Sequence, residues 1–223
     1  PVEQSSVATS PPMSLQAASR PALSVVYQAL DSIMIQTIKP LVTVCIPSYN
    51  HARFVGESIQ GILDQTYPNI ELIIIDDGSS DNSVEIIQSY VEACQRHFVR
   101  FEFRSRPNKG LSATLNEALE WAAGEYFSPI ASDDVALPGK TAFLVHELLH
   151  RNDLAGAFGA VEMIDEQDKS LGVRGQRGEW IFNDIFLGAA RLQVPASLLK
   201  TEILRSVGGF SEDLIIEDWD MWL

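Results

Sequence analysis

The sequence predicts an α/β fold: a doubly wound, mostly parallel central sheet flanked by helices. Three observations carry that expectation. Short strand-like runs at 41–46, 70–75, 99–103 and 125–130 alternate with segments whose apolar residues recur every three to four positions. The first two, at 41–46 and 70–75, are mostly apolar at successive positions, as strands covered on both faces are. Each run also ends in a polar loop: Ser48-Tyr49-Asn50, Asp76-Asp77-Gly78-Ser79, Asn108-Lys109-Gly110 and Ser132-Asp133-Asp134. Parallel strands gather such loops on one edge, where open α/β sheets bind their ligands.

Residues 1–22 are rich in Ser, Pro, Ala and Gln and read as a linker or tail. Leu23, Val26, Tyr27, Leu30, Ile33, Met34 and Ile38 recur at helical spacing, which predicts an amphipathic helix ended by Lys39-Pro40. Residues 1–40 are thus expected to be an N-terminal extension, and residues 41–223 the α/β domain. The helix at 23–38 needs cover for its apolar stripe, from this domain, an upstream domain or a partner.

Within the domain, the first strand breaks at Pro47. Val55, Ile59, Ile62 and Leu63 stripe a helix, and Tyr67-Pro68-Asn69 turns the chain into the second strand. Asp81, Asn82 or Ser83 can cap a helix carrying Val84, Ile87 and Val91. Leu111, Leu115, Ala118, Leu119 and Ala122 stripe the next, with Gly124 as its stop. Pro138 opens a helix carrying Leu144, Val145, Leu148 and Leu149. Beyond it the pattern loosens. Residues 156–164 predict a strand, 165–180 a mobile loop and 181–187 a short helix. Thr201 is expected to cap a helix through Val207, and Gly208-Gly209-Phe210 to form a turn. The chain opens on Pro1 and closes on an apolar-aromatic run, which gives the expectation of a fragment whose parent continues beyond Leu223.

Hydrophobic residues make up 46% of the 223, enough for a packed core and against disorder. A net charge of −14 argues against a nucleic-acid-binding surface. Cys45 and Cys94 make neither a disulfide framework nor a metal-type spacing, so a reducing, cytoplasmic setting is the default, or a peripheral one at the inner membrane face. No apolar run is long enough to span a bilayer, and the N-terminus lacks the features of a secretory signal.

The loops offer specific chemistry, each with a plainer alternative. Asp133 and Asp134 at the end of the fourth strand suit Mg²⁺ or Mn²⁺, the remaining ligands being water and phosphate oxygens; otherwise they cap the helix at Pro138. Asp76 and Asp77 can accept from a nucleobase N–H or a ribose hydroxyl, or else form a capping turn. Tyr49 can stack on a base or be an ordinary half-buried tyrosine. Lys109, with backbone N–H groups at a helix N-terminus, favours phosphate, or sits in a surface turn; the spacing is not that of a Walker loop. Asp218, beside Trp219 and Trp222, can serve as a general base, or with Glu217 complement a helix dipole.

Taken together, VTVCIPSYN (42–50), QTYPN (65–69), IDDGS (75–79), Asn108-Lys109-Gly110 with Asn116, Gly124-Glu125-Tyr126, Ser132-Asp133-Asp134, Gly208-Gly209-Phe210 and Glu217-Asp218-Trp219-Asp220 resemble the motif series of inverting family 2 glycosyltransferases. The resemblance covers residues 41–223. It implies a GT-A fold and transfer of a sugar, with inversion, from a nucleoside diphosphate sugar of the UDP type to an acceptor hydroxyl. The acceptor would be a glycan or glycolipid, in polysaccharide or glycoconjugate synthesis. It implies that Pro47 and Tyr49 flank the base, that Asp77 hydrogen-bonds it, that Asp133 and Asp134 bridge Mn²⁺ or Mg²⁺ to the diphosphate, and that Asp218 deprotonates the acceptor. Ala131 stands where the family's metal motif usually has its first acid, which leaves open whether Asp133 or Asp134 is the direct ligand. Two rivals remain at this stage. A sugar-nucleotidyltransferase would want a Gly-rich basic loop after the first strand, which 47–50 does not offer. A nucleotide-binding or scaffolding module would bind donor without turnover.

Overall fold

The computed structural model describes residues 39–165, 167, 169–190 and 192–213. The helix expected at 23–38 and the acidic-aromatic run containing Asp218 lie outside the described residues. The unit described begins at Lys39.

In chain order it contains β1 (Val42–Ser48), α1 (Val55–Leu63), β2 (Ile70–Asp76), α2 (Ser83–His97), β3 (Arg100–Ser105), α3 (Leu111–Trp121), β4 (Tyr126–Pro129) and α4 (Lys140–His150). There follow β5 (Gly156–Phe158), β6 (Val161–Ile164), β7 (Ser170–Arg174), α5 (Phe182–Phe186), a 3₁₀ turn (Val194–Ala196), β8 (Ser197–Lys200) and α6 (Thr201–Ser206). The main sheet has the order β3-β2-β1-β4-β8-β5. β1 pairs in parallel with β2 on one side and β4 on the other, with Val42 level with both Ile70 and Tyr126. β3 extends the parallel part, and β8 is antiparallel to both β4 and β5. The chain steps outward from β1 to β3, then returns to the far side of β1 for β4. The loops after β1 and β4 therefore leave their strands in opposite directions and open a crevice between them.

Alternation along the strands builds two cores. Val44, Ile46, Leu72 and Ile74 face one way and meet Val55, Ile59, Ile87, Leu144 and Leu148 of α1, α2 and α4. Cys45, Ile73 and Ile75 face the other and meet Leu115, Ala118 and Leu119 of α3, with Leu204 and Phe210. Each fully buried Ile or Leu stabilises the fold by about 1.5–3 kcal/mol. Helices on both faces of a mostly parallel sheet bear out the expected fold class. Among the described residues, no helix is long and apolar enough to cross a membrane.

A charged residue lies near the start of the second strand. Glu71 is fully buried at the sheet edge away from the polar loops. Its carboxylate accepts from Thr43 Oγ1 (2.6 Å), the N–H groups of Ala123 (2.6 Å) and Gly124 (3.0 Å), and Arg100 Nη1 (3.1 Å). It thereby ties β1, β3 and the α3–β4 turn together. Gly124 is required there, because a Cβ would come within 2.5 Å of Thr43 Oγ1. Glu71→Ala removes the acceptor of the Thr43 hydroxyl, the Ala123 N–H and Arg100, leaves the Gly124 N–H with Thr43 Oγ1 alone (3.0 Å), and is expected to cost about 3 kcal/mol. Urea denaturation would register this as a fall in midpoint at constant slope.

Three expectations need correction. Residues 156–164 are two strands, with β5 in the main sheet and β6 in a hairpin with β7. Residues 165–180, expected as a mobile loop, contain β7. That strand was hard to read because all its residues are exposed, Gly172 has a φ of 112°, and the pairing slips at Met163/Ile164. Thr201 does not cap α6: it is the first helical residue, Lys200 holds the cap position, and Thr201 Oγ1 is buried without a hydrogen-bond partner.

Candidate functional site

The loops after the parallel strands are joined into one surface. Asn50 adopts a left-handed conformation (φ 54°), which Asn tolerates better than most residues. From there its N–H donates to Ser79 Oγ (2.8 Å), and its Oδ1 accepts from Ser80 N–H (2.8 Å). The next two N–H groups donate to Ser83 Oγ (3.0 Å, from His51) and Asp81 Oδ2 (2.9 Å, from Ala52). Of the candidate caps for α2, Asp81 accepts from Ser83 N–H (3.0 Å) and its hydroxyl (2.5 Å). Gly78 (φ 80°) lets the loop after β2 lie against the loop after β3, where a Cβ would come within 2.7 Å of Asn108 N.

Asp77 fills the junction of these loops. Its carboxylate pairs with Arg106 and accepts from the N–H groups of Lys109 (2.8 Å, Oδ1) and Gly110 (2.9 Å, Oδ2). Gly110 is the cap position of α3, so Asp77 occupies that helix's N-terminus, reached across space and not from the adjoining turn. The backbone N–H groups read as a phosphate cradle are thus committed to Asp77, and the loop's remaining offer is the exposed Lys109 ammonium. Arg106 and Gly110 leave Oδ2 with only one donor, so it retains acceptor capacity. Asp76 is buried and bonded to Ser79 N–H (3.0 Å) and its hydroxyl.

Arg106 is itself held by Glu117 (2.8 Å) and Thr114 Oγ1 (2.9 Å). Burial alone would raise the Glu117 carboxyl, but hydrogen bonds from Arg106 and Arg104 outweigh it and hold it below its ordinary 4.5. A carboxyl depressed on folding contributes stability that is complete above its unfolded pKa and is lost as pH falls through the folded one. The melting temperature should therefore drop on acidification below about 4.5, and Glu117→Gln should flatten that part of the profile.

Across the β1/β4 crevice, Ser132 and Asp133 form a turn closed by the Asp134 N–H to Ala131 O (3.1 Å). Neither aspartate caps α4, whose cap position is Gly139 without a side-chain bond, so the plainer reading of this pair is set aside. Asp133 is exposed and Asp134 half-buried. Burial and the neighbouring Asp133 charge raise the Asp134 carboxyl above its ordinary value. Lys140 approaches from α4 as a half-buried residue, with Nζ donating to Ser128 Oγ (2.9 Å); burial lowers it to about 8. His51 approaches from β1, with Nδ1 2.8 Å from Ser132 Oγ and 3.9 Å from Asp133 Oδ1. Two adjacent carboxylates on one turn, Asp133 open to solvent, fit a divalent cation, which would relieve their like-charge repulsion. No group of three or more His, Cys, Asp or Glu is arranged to hold a metal among the described residues. Asp133 and Asp134 would then be the protein's described share of a coordination sphere completed by water and a diphosphate.

Pro47 lies in β1 level with Ile75, and Tyr49 follows with its ring 49% exposed, available for stacking. The sequence reading brought Pro47, Tyr49, Asp77, Lys109, Asp133 and Asp134 to one sheet edge, and the strand ends place them there. It gave no role to His51, Ser132 or Arg106. Their partners are far away in sequence, and only His51, a titratable residue directly after a strand-end Tyr-Asn, carried a visible clue. Asn116 and the Gly208-Gly209-Phe210 turn prove to be one device. Asn116 donates to Phe210 O (2.8 Å) and accepts from its N–H (2.7 Å), and a Cβ on Gly209 (φ 79°) would come within 2.5 Å of Asn116 Oδ1.

Residues 43–195 match the family model described as glycosyl transferase family 2. The chain belongs to that family. Among family 2 relatives, an uncharacterized glycosyltransferase of Rickettsia felis is 30% identical over 200 residues, covering 82% of this chain and 31% of that protein. Another, of Rickettsia typhi, is 31% identical over 194 residues, covering 83% and 58%. A putative teichuronic acid biosynthesis glycosyltransferase of Bacillus subtilis is 40% identical over 97 residues, covering 43% and 37%. This family 2 chain thus spans from under a third to somewhat over half the length of these relatives. Among solved structures, a mannosyltransferase of Pyrobaculum calidifontis in complex with GDP-Man and Mn²⁺ superposes with a TM-score of 0.60 at 20% identity, covering 90% of this chain and 60% of that one. Residues 1–349 of TarS from S. aureus, in complex with UDP, superpose with a TM-score of 0.61 at 20% identity, covering 82% and 54%. These likenesses establish the GT-A type of fold for the family 2 chain.

Proposed function

We propose that the chain transfers a sugar from a nucleoside diphosphate sugar, of the UDP type, to an acceptor hydroxyl with inversion. The observation that carries this reading is the meeting of the β1 and β4 loops, where His51 reaches Ser132 beside Asp133. A donor laid across that crevice would have its base near Tyr49 and Asp77 Oδ2, and its diphosphate toward Asp133, Asp134 and Lys109. Structures of the same fold in complex with GDP-Man and Mn²⁺ or with UDP support a nucleotide donor. A Mn²⁺ or Mg²⁺ ion held by Asp133 and Asp134 would supply charge neutralisation for the departing diphosphate.

The chain's own residues do the remaining work. Asp77, fixed by Arg106 and the N-terminus of α3, accepts from the base. Tyr49 covers the base face. Asp218 takes the proton from the acceptor hydroxyl as that oxygen forms a bond to the anomeric carbon. The bond from that carbon to the diphosphate oxygen breaks on the opposite side, and the electron pair leaves with the nucleoside diphosphate. Alignment of the two partners contributes much of the acceleration. The acceptor is a glycan or glycolipid, in polysaccharide or glycoconjugate synthesis, and residues 41–223 form the transferase domain. Residues 23–38 would meet an upstream domain or a partner.

A thermal-unfolding screen against nucleoside diphosphate sugars tests the reading, because a ligand bound only by the native state raises its apparent stability. A UDP-sugar should raise the melting temperature, and more so with Mn²⁺. Indifference to every donor, with and without metal, would contradict it.

A further inference from the structure

We propose that His51 is a positioning residue that sets the Ser132-Asp133-Asp134 turn for metal-diphosphate binding, an inference that rests on the reading above. The turn itself is lightly held, by a single backbone bond from Asp134 N–H to Ala131 O. Its links to the rest of the fold come from across the crevice. Ser58 Oγ of α1 donates to Ala131 O (3.2 Å), and His51 meets Ser132 Oγ (2.8 Å). Ser132 is almost fully buried, so its end of this bond is shielded from solvent, while the His51 side chain is partly exposed.

His51 is well fixed for such a task. Its N–H donates to Ser83 Oγ (3.0 Å), and its carbonyl accepts from the N–H groups of Phe54 (2.9 Å) and Val55 (2.9 Å). Its ring stands edge-on to Phe54, with centroids 6.2 Å apart. The backbone of His51 is therefore anchored to the starts of α1 and α2, and its imidazole extends from the β1 loop to the β4 loop. Ser58 holds the carbonyl that precedes the turn, and His51 holds the Ser132 side chain within it, next to the two aspartates. With Ala131 in place of an acid, the turn has one carboxylate fewer with which to catch a cation, so the placement of Asp133 and Asp134 matters more. Residues that orient metal ligands without touching the metal typically account for 10- to 100-fold in metal affinity.

The test measures Mn²⁺ binding to the 223-residue chain saturated with UDP, by the electron paramagnetic resonance of free Mn²⁺, alongside melting temperatures. His51→Phe keeps the ring against Phe54 and removes Nδ1. It should raise the Mn²⁺ half-saturation concentration about tenfold with little change in melting temperature. His51→Asn carries a polar atom on Cγ where Nδ1 sits, and should restore binding to near the wild-type value. Ser132→Ala removes the same bond from the other side, and should match His51→Phe; the double variant should be no worse than either single one. Equal Mn²⁺ affinity in His51→Phe and wild type would overturn the inference, as would a His51→Asn variant as weak as His51→Phe. Replacing both Asp133 and Asp134 by Ala separates the two layers. If that variant loses Mn²⁺ while His51→Phe does not, the positioning role alone fails. If it binds Mn²⁺ like wild type, the reading of the site fails and this inference with it.

Discussion

Asp218→Asn is expected to lower kcat by about 10²- to 10⁴-fold, the usual share of a general base, while UDP binding stays close to wild type. The substitution keeps size and hydrogen-bonding capacity but removes the group that can hold the acceptor's proton. The reacting hydroxyl must lose that proton as its oxygen attacks, and an amide cannot take it. Asp218 lies between Glu217 and Trp219, in the run that matches the family's acidic-aromatic motif. It is remote in sequence from the loops assigned to the donor, so donor affinity and turnover should separate. Single-turnover kinetics with a saturating donor would measure the chemical step, and calorimetry would measure binding. Near-normal turnover in this variant would remove Asp218 from the mechanism. Parallel loss of UDP binding would mean it belongs to the donor site instead.

Replacing both Asp133 and Asp134 by Ala should abolish the Mn²⁺-dependent part of UDP binding and lower kcat/KM by at least about 10²-fold, as loss of charge stabilisation on a leaving group does. The two aspartates sit on one turn at the β4 end, with their like charges adjacent and Asp134 raised by burial and by Asp133. Removing them also removes that repulsion, so the fold should tolerate the change or gain slightly in stability. The single variants distinguish which of the exposed Asp133 and the half-buried Asp134 is the direct ligand. Calorimetry with UDP, with and without chelator, measures the effect. A double variant that binds UDP as the wild type does in Mn²⁺ would show that the pair holds no metal.

Much of the architecture was legible because burial on both faces leaves a plain trace. The runs ending at Ile46 and Ile75 are mostly apolar at consecutive positions, and the intervening helices repeat every three to four residues. The hairpin of β6 and β7 was not legible, since strands exposed to solvent need no apolar alternation. Nor could sequence reveal that β8 enters the sheet antiparallel between β4 and β5, because pairing direction leaves no local pattern. In the site, strand ends announced themselves through Asp77, Asp133 and Asp134, but the groups holding them did not. Arg106 reaches Asp77 from 29 positions away, and His51 reaches Ser132 from 81. Glu71 was hidden for the same reason: a single acid inside an apolar run gives no hint of the N–H groups it serves. Asn116 and Gly208-Gly209-Phe210 stood in the resemblance as separate motifs, and their contact in the fold joins them.

The most direct measurement is the anomalous scattering of Mn²⁺ in crystals of the chain grown with UDP. The account predicts a metal peak in coordinating distance of Asp133, Asp134 or both, touching the diphosphate, with the uracil beside Tyr49 and Asp77. UDP bound away from the β1/β4 crevice, or a diphosphate there with Mn²⁺ held by other residues, would contradict it.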